Sequence, residues 1–245
     1  MDYDSFEDGF TSTSLGEMHF KHHPGLGEKL IFLHGLGGTT LVWKRLMSFL
    51  PDELDVCLVD LMGHGQSAAP DVDYTISLQF QALREFISLQ NNGYSYIFGH
   101  SYGAWLAAYY ASQPCTCKGL ILEDAPGLKE ALDDARAGGR LASIQEHLLR
   151  TTLELGNKEE VMKSIIYANF DEDALTTGVL SEIKQRTLIL WGADDQIVPL
   201  KYGMILQSKI KDSMLEIIEG AGHEAHYEQP EKVKDALLKF IGYTH

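Results

Sequence analysis

Cysteine, proline and basic side chains are all scarce here, with three Cys, seven Pro and 20 Lys plus Arg in 245 residues, and each scarcity removes a class of protein. Cys57, Cys115 and Cys117 are too few, and odd in number, to build a disulfide framework, so reduced thiols and a cytoplasmic setting are expected. Cys115-x-Cys117 has no second ligand pair at zinc-finger spacing, and no metal is expected. Against the 20 basic residues stand 35 Asp plus Glu, a formal charge of -15. A field of that sign repels phosphate backbones and anionic head groups, so neither nucleic acid nor a membrane surface is an expected partner. No apolar run approaches the ~18 residues of a membrane span. Residues 1–8 carry acids where a signal peptide would have a basic and then an apolar region. Repeats and low-complexity tracts are missing as well, which excludes solenoid and fibrous architectures.

What is present is material for one sizeable core: 44% of the residues are hydrophobic and 10% aromatic. Short β-branched or apolar runs alternate with longer helical patterns, the signature of parallel α/β units. Residues 11–15 and 17–22 read as an entry hairpin. Strands are expected at 30–33, 56–60, 94–98, 119–123, 187–191 and 214–218, and helices at 41–50, 76–90, 102–112 and 231–241. Thr75 or Asp73 caps the second helix. Between 128 and 183 the alternation breaks, and the stretch reads as helices only, at 141–155, 158–169 and 173–183. A plain crossover needs one helix. Three helices imply an insert, so residues 1–127 and 184–245 are expected to form the core and 128–183 a helical cap. Leu148, Leu149, Ile165 and Ile166 give it more apolar surface than a solvated helix carries.

Gly99-His100-Ser101-Tyr102-Gly103 fits Gly-x-Ser-x-Gly with a strand before it and a helix after it. A turn that sharp strains the serine backbone, and a Cβ at either flanking position would clash. The serine is thereby exposed at a helix N-terminus, where developing negative charge is favoured. A serine hydroxyl needs a base within hydrogen-bond reach, and the base needs a third group to orient it. Acids Asp194 and Asp195 follow the strand at 187–191. Histidines His223 and His226 follow the last strand, the first of them on Gly220-Ala221-Gly222-His223. The chain order Ser…Asp…His differs from that of the chymotrypsin and subtilisin folds. One oxyanion-hole donor is the N–H of the residue after the nucleophile, Tyr102.

The sequence resembles the α/β-hydrolase superfamily, in the branch of small capped serine esterases, over about residues 30–241. The resemblance rests on His34-Gly35-Leu36-Gly37-Gly38, Asp60-Leu61-Met62-Gly63-His64-Gly65-Gln66-Ser67, the serine elbow, Gly192 through Pro199, and Gly222-His223 leading to Glu228-Gln229-Pro230. It implies an α/β-hydrolase fold, a mostly parallel central sheet with helices on both faces and a small helical cap. It implies a catalytic Ser101, with Asp195 as the acid because members read Gly-x-x-Asp-x-x-x-Pro there, and His223 as the base. It gives Leu36 as the second backbone donor of the oxyanion hole, leaves His34 and His64 structural roles, and needs no cofactor.

Among the chemistries of that fold, Ser101 argues against dehalogenase and epoxide-hydrolase look-alikes, which place aspartate at the elbow. His34-Gly35-Leu36-Gly37-Gly38 departs from the His-Gly-Gly-Pro-Gly of proline iminopeptidases, which argues against an aminopeptidase. Hydrolysis of a small-molecule carboxylic ester is the expected activity. Carbon–carbon bond hydrolase, enol-lactonase and cofactor-free haloperoxidase activity stay open, as does a small-molecule receptor on the same fold.

Overall fold

Eight short runs of β-formers become strands: β1 (Glu7–Thr13), β2 (Gly16–His23), β3 (Lys29–Leu33), β4 (Asp55–Val59), β5 (Tyr96–His100), β6 (Gly119–Glu123), β7 (Arg186–Gly192) and β8 (Ser213–Ile218). The structure is a computed structural model that describes residues 1–90, 95–168 and 172–243. The strands form one sheet in the order β1-β2-β4-β3-β5-β6-β7-β8. The β1–β2 and β2–β4 pairings are antiparallel, and every later pairing is parallel. This is the α/β-hydrolase fold. β4, β5 and β6 are buried at every position, as expected of parallel strands covered on both faces.

Alternation divides each strand between two apolar layers. Ile31, Leu33, Leu120 and Leu122 pack under α2 (Ile76–Leu89) and α3 (Tyr102–Ala111). Leu30, Phe32, Phe98 and Ile121 pack on the other face, against α1 (Lys44–Met47) and the closing helix Pro230–Ile241. Thr75, not Asp73, caps α2, its hydroxyl accepting from the Leu78 N–H at 3.1 Å. Chain order reverses between β3 and β5, and ligands of open α/β sheets bind beyond the carboxyl ends of the strands at such a point.

The structure corrects several expectations. β1 begins at Glu7, ahead of the expected 11–15, because an edge strand tolerates polar residues; Gly9 leaves room for the Phe20 ring opposite. The helix expected at 41–50 is a 3₁₀ turn (Thr40–Trp43) followed by one turn of α1. The Thr40 N–H at the start of this turn donates to Asp60 at 2.7 Å, which anchors it to the end of β4. Among the described residues four helices, not three, lie between β6 and β7: α4 (Lys129–Ala137), α5 (Leu141–Glu154), α6 (Glu159–Ile166) and α7 (Thr177–Ser181). The polar α4 has no buried residue; its apolar face is narrow, carried by Ala131, Leu132 and Ala135. Nor is the stretch purely helical, since Leu128 and Leu175 form a parallel bridge. The expected 173–183 helix begins only at Thr177, capped by Thr176; before it the Asp173 carbonyl accepts from the Trp105 indole and the Leu175 N–H donates to the Gly127 carbonyl at 2.8 Å. Ile165 and Ile166 are core residues, whereas Leu148 and Leu149 are half-buried. Residue 94 of the expected 94–98 strand and residue 169 of the expected 158–169 helix lie outside the described residues. The chain continues through α8 (Lys201–Lys209), α9 (Ala225–Glu228) and α10 (Pro230–Ile241), of which the first two carried no clear sequence signal.

Candidate active site

Five loops at the carboxyl ends of β3, β5, β6, β7 and β8 meet above the sheet. At the end of β5, Ser101 has φ 49° and ψ -116°, a conformation disfavoured for a residue with a Cβ. Packing enforces it. A Cβ on Gly99 would lie 2.4 Å from the Gly103 carbonyl oxygen, and one on Gly103 would lie 2.2 Å from the Leu33 carbonyl oxygen. Only glycines allow α3 to approach the sheet this closely.

The structure brings Ser101, His223 and Asp195 together. Ser101 Oγ is 2.9 Å from His223 Nε2, and His223 Nδ1 is 2.8 Å from Asp195 Oδ2. Nδ1 donates to the carboxylate, leaving Nε2 to accept from the hydroxyl. Asp195 Oδ1 accepts from the N–H groups of Ile197 at 2.7 Å and Val198 at 2.9 Å. Burial raises the Asp195 pKa, but the hydrogen bond and charge of His223, with those two N–H groups, outweigh it and hold the carboxyl below its usual range. Asp194, its neighbour, points to solvent. The two loops are pressed together at Gly192, where a Cβ would lie 1.8 Å from the Gly222 carbonyl oxygen.

His226 does not reach the serine. Its ring pairs with the buried Glu123 at 2.9 Å, and its backbone N–H donates to the same carboxylate at 2.6 Å. Two residues with no role in the sequence reading hold His223. Glu228 accepts from the N–H of Gly222 on one side of it, at 3.1 Å, and from that of Glu224 on the other, at 3.3 Å. His100 donates from Nε2 to the His223 carbonyl at 2.8 Å. Glu228 lies in a stretch that carried the resemblance. The only signal for His100 was its place beside the serine, and its reach to β8 is a tertiary fact.

His34 braces the loop after β3, as expected. Its Nδ1 donates to the Gly35 carbonyl at 2.7 Å, and its Nε2 accepts from the Leu61 N–H at 3.0 Å. The Gly38 N–H donates to the same Gly35 carbonyl at 3.0 Å. With that carbonyl held, the N–H across the same planar peptide, that of Leu36, is turned the other way. The loop abuts the elbow: a Cβ on Gly35 would lie 3.3 Å from Ser101 Cβ. Among the described residues neither the Leu36 nor the Tyr102 N–H has an acceptor, and at the first position of a helix none is available within the helix. From the helical segment, Asn157 donates through Nδ2 to the Gly37 carbonyl at 2.9 Å, and Thr152 packs on Gly37.

Four further histidines are tied into the fold. His64 is fully buried, and burial, then the neighbouring His34, lowers its pKa to about 3. His19 bridges Asp60 and Asp8, each at 2.8 Å, while His22 pairs with Asp55 and His23 with the Asp52 carbonyl. The sulfurs of Cys115 and Cys117 stand 3.5 Å apart on the loop before β6. Among the described residues one cluster has three metal-type ligands, Asp124, Asp195 and His223, but both ring nitrogens of His223 are already engaged. No helix of the described residues is long and apolar enough to cross a membrane.

Comparison with known proteins agrees with this architecture. The chain is similar to monoacylglycerol lipase ABHD6 of Bos taurus, 25% identical over 266 residues that cover 92% of this chain and 79% of that protein. An uncharacterized protein of Mycobacterium tuberculosis is 26% identical over 265 residues, covering 90% of this chain and 77% of its own. A serine hydrolase involved in carbazole degradation superposes with a TM-score of 0.78 at 24% identity, covering 98% of this chain and 100% of that one. The 2-hydroxy-6-oxo-6-phenylhexa-2,4-dienoate hydrolase of a Rhodococcus strain superposes at 0.79 with 18% identity, covering 97% and 99%. The family model described as alpha/beta hydrolase family matches residues 30–236, most of the chain from the first parallel strand into the last helix. This protein belongs to the alpha/beta hydrolase family.

Proposed function

We propose that this protein is a serine hydrolase that cleaves small carboxylic esters through an acyl-enzyme on Ser101. The observation that carries the reading is the unbroken hydrogen-bonded line from Ser101 through His223 to Asp195, with two N–H groups beside the serine free to donate. In this reading His223 Nε2 takes the Ser101 proton as Oγ attacks the ester carbonyl. Leu36 and Tyr102 hold the oxyanion. His223 then passes the proton to the departing alcohol, and water releases the acid by the same route. Asp195 keeps the imidazole in the required tautomer and stabilises its charged form. The ABHD6 relatives, named as monoacylglycerol lipases, support an ester with an apolar chain. A groove of about 600 Å³ runs beside the loop after β3, lined by Leu41, Val42, Leu155 and Tyr227 together with the charged Lys44, Arg45 and Glu224. Segment 128–183 serves in this reading as a cap over the serine, and the three free thiols accord with a cytoplasmic setting.

The test pairs short-chain p-nitrophenyl esters with a fluorophosphonate. Turnover should be lost in Ser101→Ala by a factor on the order of 10⁴–10⁶, and the reagent should label Ser101 alone. Labelling elsewhere, or full turnover in the variant, would overturn the assignment. Labelling without ester turnover would move the reading toward a carbon–carbon bond hydrolase or a receptor.

A further inference from the structure

Asp124 is a buried carboxyl for which the proposed reaction has no use. It sits at the end of β6 with no solvent exposure. Among the described residues only Ser101 and Asp124 combine a side chain with positive φ, 49° and 48°. Backbone strain of this kind persists where the surroundings enforce it, and it collects at functional sites. Asp124 Oδ1 accepts from the Gly192 N–H at 3.0 Å. Asp124 Oδ2 is buried and receives no hydrogen bond from any donor among the described residues. One carboxylate oxygen of Asp124, one of Asp195 and one ring nitrogen of His223 all lie within 4.8 Å of one another.

We infer that Asp124 is a neutral carboxylic acid whose Oδ2–H donates to the Asp195 carboxylate, making Asp124 a positioning residue for the acid that orients His223. Two bare carboxylates packed this closely away from water repel each other, so one of them keeps a proton. The donors decide which. Asp195 already accepts two backbone N–H groups and the His223 ring, all of which favour its charged form. Asp124 has a single N–H, on Oδ1, so the proton belongs on Oδ2, the atom otherwise without a partner. The other ionisable groups around it point the same way. Glu123 from β6 is buried beside it and paired with His226 from α9, and Asp195 faces it from the β7 loop, with His223 of the β8 loop beyond. Burial, then the charges of Glu123 and Asp195, push the Asp124 carboxyl up to about 10, so it stays protonated at neutral pH. A bound cation would satisfy the same oxygens but would have to take a nitrogen of His223 from Asp195 or from Ser101.

The inference rests on Asp195 being the triad acid, and its test separates the two questions. The first measurement needs no turnover. The infrared difference spectrum of wild type against Asp124→Asn at neutral pH should contain the carbonyl stretch of a protonated carboxylic acid. Its absence would overturn the inference. The second is the rate of Ser101 phosphonylation by a fluorophosphonate across pH. An asparagine can accept from Gly192 and donate to Asp195, so Asp124→Asn should react within about threefold of wild type with its acid limb at the same pH. Asp124→Ala should react about 10- to 100-fold more slowly, the loss of one hydrogen bond to a charged group. An acid limb displaced to lower pH in Asp124→Asn would show that a negative charge had been removed, and would overturn the inference. So would loss of wild-type reactivity on chelation, restored by a divalent cation. If the reagent never labels Ser101, the hydrolase reading falls, while the infrared band still decides where the proton is.

Discussion

The imidazole of His100 donates to the backbone carbonyl of His223 across 2.8 Å, so the residue preceding the nucleophile anchors the loop that carries the proposed base. Burial, followed by the nearby His226 and His223, lowers the His100 pKa well below the ordinary histidine value, which keeps it neutral with its proton on Nε2. Ser101 and His223 come from different strands and are connected twice, once through Oγ and once through the neighbour of Ser101.

Removing that second connection should loosen the base without removing it. His100→Ala is expected to lower kcat about 10- to 100-fold, the range of one buried hydrogen bond, with KM nearly unchanged. Steady-state kinetics on a p-nitrophenyl ester checks this. A change confined to KM would place His100 in substrate binding.

His223 and His226 should separate cleanly into chemistry and stability. His223→Ala removes the proton acceptor of Ser101 and is expected to abolish turnover with little change in Tm. His226→Ala takes the ring partner from the buried Glu123 and leaves it only the backbone N–H of residue 226. Breaking such a pair costs about 3–5 kcal/mol, or roughly 6–20 °C in Tm for a chain of this size. Turnover per folded molecule, measured well below that Tm, should stay within a few-fold of wild type. Calorimetry and kinetics on the same preparations decide it.

The helical segment reaches the loop after β3 through Asn157 and Thr152. Asn157→Ala frees the Gly37 carbonyl and is expected to lower kcat several-fold while leaving Tm nearly intact. Gly37→Ala should do more damage. Its φ of +74° is strained for alanine, and the added Cβ would lie 2.6 Å from Thr152 Cγ2. Kinetics unchanged in both variants would reduce this contact to packing.

The entry hairpin carries a pH-dependent tie. Burial opposes a proton on His19, but the hydrogen bonds and charges of Asp60 and Asp8 outweigh it and raise the His19 pKa above 6.5. A raised histidine stabilises the fold fully below the unfolded value of 6.5, and the contribution is lost as pH rises through the folded value. The Tm difference between wild type and His19→Gln should therefore be larger near pH 6 than near pH 9. A difference that grew with pH would reverse the assignment.

Much of this molecule could be read in order along the chain. The alternation of short apolar runs with helical patterns and the Gly-x-Ser-x-Gly spacing are local features that can be read along the chain, although it is β3, at the Leu33 carbonyl, that makes Gly103 necessary. The same holds for a histidine on a Gly-rich loop after the last strand. Assigning the acid to Asp195 and the base to His223 took the register of a known family, since Asp194 and His226 are chemically equal candidates in the sequence. Tertiary structure separates the four: Asp195 and His223 are hydrogen-bonded in line with Ser101, whereas Asp194 faces water and Glu123 holds His226. The short helices also needed it. The expected 41–50 helix is split into a 3₁₀ turn and a single α turn, α4 buries no residue, and α9 is a single turn. The roles of His100, Glu228 and Asp124 lay beyond any pattern, because each depends on a neighbour brought in by a different strand or helix. Periodicity reports which face of an element is apolar, whereas a hydrogen bond or a shared proton depends on angles and distances that exist only once the sheet has assembled.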